Sequence, residues 1–96
     1  EQRLESIVFQ SSHPRLLAYV VALIEEKGER VGFEWVLRRF MSHQDIANIT
    51  ATSRQSVNSV LNELRRAEVL TFNRRRLLVR DLDRLRQVAH QARQQS

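Results

Sequence analysis

Arg54, Gln55, Asn58 and Ser59 recur at spacings that put them on one side of a helix. Each carries hydrogen-bonding groups suited to a flat polar target. Arg presents a planar fork of N–H donors, Gln and Asn hold a donor beside an acceptor, and Ser does both without bulk. The stretch that contains them, RQSVNSVLNELRR, is odd for a solvated surface. Exposed helix positions favour Glu and Lys, which are better helix formers, whereas Ser and Asn compete with the backbone for hydrogen bonds. Base-pair edges in a DNA major groove suit the set: Arg forks onto guanine O6 and N7, and Gln or Asn pairs with adenine N6 and N7. Glu there would repel phosphate. The competing reading is an ordinary solvated face.

Helix geometry sharpens this. At about 100° per residue, Val60, Leu61 and Leu64 fall within about 60° of Val57, and the four form a buried stripe. Gln55, Ser59, Asn62 and Arg66 lie opposite, with Arg54 and Asn58 beside them. Two further groups fit a polyanion. Ser42, His43 and Gln44 open a short predicted helix, where unpaired N–H groups and the helix dipole attract phosphate. Ser42 also reads as a plain N-cap and His43 as a plain surface residue. Arg74, Arg75 and Arg76 sit between β-prone runs, an arrangement that suits nonspecific phosphate contact.

Composition is consistent with such a partner. The chain has 96 residues, enough for one small domain, with 42% hydrophobic residues and a formal net charge of +5. The basic excess is almost wholly Arg, with Lys27 the single lysine. Arg suits bidentate contact with phosphate and guanine better than Lys does. An enzyme is disfavoured. There is no Cys, and His13, His43 and His90 are scattered. Asp81 and Asp83 read as a cap and a first-turn charge, and Gly28 and Gly32 make no phosphate loop. No metal site is expected. No apolar run approaches the ~20 residues that span a bilayer, and a cytoplasmic location is expected.

Around this face the chain predicts a mainly α fold with a small β wing, an α+β winged helix-turn-helix. Residues 1–10 form a short amphipathic stub with Leu4, Ile7 and Val8. A helix starts near Pro14, buries Leu17, Val20, Val21 and Ile24, and stops at Gly28 as a C′ residue. VGFEWVLRRF, residues 31–40, fits either helix or strand, and its aromatic and β-branched content favours strand. Ser42 caps a helix running to about Ile49, and Ala47 lets the next helix pack closely. Thr52 with Gln55 forms a second capping pair opening the polar helix. VLTF and RLLV make a hairpin, the wing, near residues 69–79. Asp81 then caps a last helix with Leu82, Leu85, Val88 and Ala89 inward, and its QARQQS end is expected to fray.

The set MSHQDIANITATSRQSVNSVLNELRR, the basic wing and the closing RDLDRLR resembles the C-terminal DNA-binding domain of the Crp/Fnr superfamily of bacterial transcription regulators. The resemblance implies sequence-specific binding of double-stranded DNA, with residues 53–66 as the recognition helix. It places Arg54, Gln55 and Ser59 at base-reading positions with Asn58 beside them. It places Ser42, His43, Gln44, Ser53 and Ser56 at phosphate-contacting positions, a set that Thr52, Asn62 and the wing arginines complete. Residues 1–13 then resemble the tail of a dimerisation helix and its connector, with the DNA-binding domain over 14–96. The family's effector-binding β-barrel would precede that helix, so no cofactor is expected in this chain itself. A homodimer on an inverted-repeat operator is implied for the full-length protein, with RNA polymerase a candidate second partner.

The sequence also departs from the family pattern. Many members have Glu where Gln55 stands and Arg where Ser59 stands, so the half-site TGTGA is not implied. Gly is common where Ala51 and Glu68 sit. A left-handed conformation there would cost on the order of 1 kcal/mol, and a slightly different turn geometry is expected. The alternative function is a winged helix that docks another protein without reading DNA.

Overall fold

The computed structural model describes residues 13–38 and 41–95. The stub at residues 1–10 therefore lies outside the described residues, as does Phe40. The first described helix, α1, spans Pro14–Lys27 with Pro at its first turn. Its buried side is Leu16, Leu17, Val20, Leu23 and Ile24, while Val21 is only half-buried. Gly28 ends the helix as expected but not in a left-handed conformation. Its φ and ψ are −73° and 154°, and its N–H donates to the Ile24 carbonyl at 2.8 Å. Glycine is required here by space, since a Cβ would stand 2.5 Å from that oxygen.

Residues 31–40 need correction. They do not form one strand. Strand β1 is Glu29–Val31 and β2 is Glu34–Arg38, joined by a turn in which Gly32 has φ +65°. The two pair antiparallel with Glu29 opposite Val36 and Val31 opposite Glu34. The wing strands, β3 (Leu70–Phe72) and β4 (Arg76–Val79), lie where the β-prone runs placed them. The wing is not free-standing. All four strands form one antiparallel sheet in the order β1-β2-β4-β3, with β2 paired to β4 from Trp35–Val79 to Arg38–Arg76. The sequence signalled the β3–β4 hairpin but not this long-range pairing.

Helices α2 (His43–Thr50), α3 (Arg54–Arg66) and α4 (Leu82–Gln95) complete the described fold. It is mainly helical with a small sheet, as expected. The core joins Leu16, Leu17 and Ile24 of α1 to Ile46 of α2, Leu61 of α3, Leu77 of β4 and Leu85 of α4, all fully enclosed. Such side chains each contribute about 1.5–3 kcal/mol when buried. Asp81 caps α4 by accepting the Arg84 N–H at 3.1 Å. Helix α4 runs to Gln95, with Ala89 and Ala92 buried where it packs on α1. At that junction Arg86 meets Glu25 at 2.8 Å and Asp83 at 3.0 Å. The hydrogen bond to Glu25 is the main reason the Arg86 guanidinium is held above its ordinary pKa.

Candidate nucleic-acid interface

Helix α2 begins on Ser42, whose hydroxyl accepts the Asp45 N–H at 3.1 Å. It ends at Ala51, which is left-handed at φ 57° and ψ 44°. The Thr52 N–H then reaches back to the Ala47 carbonyl at 2.9 Å, the six-to-one bond of a Schellman closure. The turn thus keeps the geometry that glycine usually serves. Helix α3 ends the same way. Glu68 has φ 62°, its N–H donates to the Arg65 carbonyl, and the Val69 N–H donates to that of Leu64 at 3.0 Å. Val69 is buried, so apolar packing beyond the turn holds Glu68 in its strained conformation.

The second cap also needs correction. Ser53, not Thr52, caps α3: its hydroxyl accepts the Ser56 N–H at 3.0 Å and donates to the Ser56 hydroxyl at 2.9 Å. The Thr52 hydroxyl instead shares a hydrogen bond with that of Thr50 at 2.9 Å, inside the turn. Ser and Thr both serve as N-caps, so sequence alone could not choose between adjacent ones.

On α3 the expected stripe of Val57, Val60, Leu61 and Leu64 is fully buried, and Ala47 of α2 is enclosed beside it. The small Ala47 side chain lets the helices pack closely. Arg54, Gln55 and Ser59 are exposed together over the first turns of α3, near the exposed Ser53. Ser56, Asn58 and Asn62 are half-buried. The Asn58 Oδ1 is turned toward Nδ1 of His43 on α2. Asn62 donates to the Asn58 carbonyl at 2.8 Å and accepts from Arg65. Ser42 and Gln44 are exposed at the start of α2, with the Gln44 amide hydrogen-bonded to Asn48.

The wing turn is organised by Asn73. Its side-chain oxygen accepts the N–H groups of Arg75 at 2.8 Å and Arg76 at 3.0 Å. This presents Arg74 and Arg75 in the turn and Arg76 at the first residue of β4, all exposed. His43 meets Phe72 of β3 edge-on, with ring centroids 5.6 Å apart, while the Arg65 guanidinium lies over the Phe72 ring, 4.5 Å from its centroid. His43 therefore joins α2, α3 and the wing. The sequence reading missed Arg65 and Phe72; the available signal was an aromatic on a wing strand facing a helix that ends in Arg65 and Arg66.

The three sequence-distant groups, the start of α3, the start of α2 and the wing, are thus built onto one helix-turn-helix and sheet. Residues 14–88 match the family described as a Crp-like helix-turn-helix domain. The chain belongs to this family. Among solved structures, it is similar to CooA from Carboxydothermus hydrogenoformans, a CO-dependent transcription factor, in its imidazole-bound form. The identity is 28% and the TM-score 0.75, covering 90% of this chain and 40% of that one. It is also similar to CprK complexed with OCPA, at 26% identity and TM-score 0.75, covering 81% of this chain and 38% of CprK. A further CprK structure, oxidised and in complex with o-chlorophenolacetic acid, shares the fold at TM-score 0.76 and 23% identity, with 92% and 37% of the two chains covered. The Crp-like domain thus spans about two fifths of the length of these regulators. Among curated proteins, none matches the chain significantly in sequence. The family resemblance and the winged helix-turn-helix fold read from the sequence are both borne out, and the family is one of DNA-binding transcription regulators.

Proposed function

We propose that this chain is the sequence-reading output domain of an effector-responsive transcription regulator, with α3 lying in the major groove of double-stranded DNA. The observation that carries this is the joint exposure of Arg54, Gln55 and Ser59 over the first turns of α3. A helix that enters the groove by its N-terminal end offers those side chains to base edges. The large exposed apolar side chains among the described residues, Val31, Phe33 and Ile49, lie off α3, so its outward face lacks the apolar anchors of a protein-docking surface. Ser42, His43, Gln44, Ser53 and Ser56 would contact or order phosphates on one side, and Arg74, Arg75 and Arg76 on the other. Thr52 and Asn62 face the turn and the Asn58–Arg65 network, and would act by holding those contacts in place.

In the full-length protein, residues 1–13 would belong to a dimerisation helix and its connector, preceded by an effector domain. The dimer would place two α3 helices on an inverted repeat about 34 Å apart. The effector is unassigned, and the setting is the bacterial cytoplasm, with RNA polymerase a further partner.

The test separates base reading from charge. Duplexes selected from a random pool supply a preferred site. Arg54→Ala should weaken binding to that site by about 1–3 kcal/mol and relax preference at one base pair. Arg75→Ala should weaken preferred and random duplexes alike, and lower the slope of log K against log salt by about 0.9. Equal losses on both duplexes for Arg54→Ala would make Arg54 a phosphate clamp and sink the base-reading assignment. No enrichment from the pool would sink sequence-specific binding itself.

A further inference from the structure

A shallow groove separates the start of α2 from the wing. It is lined by Met41, Ser42 and His43 at the start of α2, by Phe72, Asn73 and Arg74 of the wing, and by Arg65 of α3. No carboxylate lines it among the described residues. Arg65 is exposed yet not loose. Its guanidinium lies 4.5 Å from the Phe72 ring centroid, and one of its N–H groups donates to Asn62 Oδ1. Phe72 is in turn braced edge-on by His43. A stacked guanidinium keeps its in-plane N–H groups available, and the ring fixes the plane in which they point. Such a fork matches two oxygens of a phosphate.

We propose that Arg65, stacked on Phe72, is a preorganised seat for one phosphodiester group of the DNA backbone, in the groove between α2 and the wing. Arg74 supplies a second cation from the wing side of the same groove. This rests on the DNA-binding reading above and adds a contact residue to it. The role of Phe72 is to position Arg65; it does not itself bind the phosphate. Because the cation is held before binding, less side-chain freedom is lost when the phosphate arrives. The seat belongs to the sugar–phosphate backbone, so its contribution is the same for every base sequence.

The experiment measures equilibrium binding of the whole chain to a selected duplex and to a random duplex across a series of salt concentrations. Arg65→Ala should lower the slope of log K against log salt by about 0.9, which corresponds to about 8-fold weaker binding at 0.1 M salt, equally on both duplexes. Phe72→Leu keeps the charge and an apolar side chain. It should leave the slope unchanged while weakening both duplexes about 2- to 5-fold, the measure of a lost exposed cation–π contact. Arg93→Ala removes equal charge from α4 and should change the slope far less. Thermal melts of each variant check that the fold is kept. Wild-type slope and affinity in Arg65→Ala would overturn this inference alone, as would an equal slope change in Arg93→Ala, which would reduce Arg65 to part of the general charge. A wild-type chain that binds neither duplex would overturn this inference together with the DNA-binding reading.

Discussion

Ala51→Gly should stabilise this domain. Ala51 stands at φ 57° and ψ 44°, at the centre of the left-handed region. A residue with a Cβ there carries about 1–2 kcal/mol of strain. Glycine removes the strain but loses more freedom on folding, about 0.5–1 kcal/mol relative to alanine. The Ala51 side chain is exposed, so no buried contact is lost. The difference is a net gain of about 0.5–1 kcal/mol. For a domain of this size it raises the melting temperature by roughly 3–6 °C. Glu68→Gly, at φ 62° and also exposed, should act in the same direction and nearly additively, since the two turns lie at opposite ends of α3. Urea denaturation followed by far-UV circular dichroism gives both free energies. DNA affinity should stay within about twofold, because the bond from the Thr52 N–H to the Ala47 carbonyl that sets the turn does not involve the Ala51 side chain. A loss of more than about 0.5 kcal/mol in Ala51→Gly, with the fold intact, would show that the turn is not strained and that the reasoning from its dihedral angles is wrong.

Two further outcomes test the packing around the interface. Ser53→Ala should cost about 0.5–2 kcal/mol through loss of the α3 cap, and Thr52→Ala distinctly less; denaturation midpoints that rank the two in the reverse order would return the cap to Thr52. Leu61→Ala, at a fully enclosed site between α3 and the core, should cost about 2–5 kcal/mol, and calorimetry showing less than about 1 kcal/mol would mean the core collapses around the gap.

How much of this was legible in the sequence follows the range of the interactions. The stripe of α3, the Ser42 and Asp81 caps and the β3–β4 hairpin rest on residues within a few positions of each other, and local spacing found them. The pairing of β2 with β4 joins residues some forty positions apart, from Trp35–Val79 to Arg38–Arg76, and periodicity carries no information about it. The β1–β2 hairpin was missed for a related reason. Strands β1 and β2 are short, β1 is exposed throughout, and a run of apolar residues on either side of Gly32 looks like a single element until the turn is seen.

The candidate site divides along the same line. A helical wheel assigns Asn58 to the flank of the outward face, and it is there that the wheel stops being informative. Whether a flank residue reaches DNA depends on what the neighbouring helix places beside it. Here α2 brings His43 against the Asn58 side-chain oxygen, and His43 in turn leans on Phe72 of the wing. Recognition of adenine by asparagine uses that oxygen and the amide N–H together. On the DNA-binding reading proposed above, an Asn58 engaged by His43 would brace α2 against α3 rather than fork onto adenine. Gln55 has no such neighbour among the contacts of its face, and its longer side chain is exposed. On that same reading, adenine recognition at the start of α3 would therefore fall to Gln55, with Arg54 beside it for guanine. Asn58 would then contribute by holding α2 and α3 at the angle that leaves Arg54, Gln55 and Ser59 exposed.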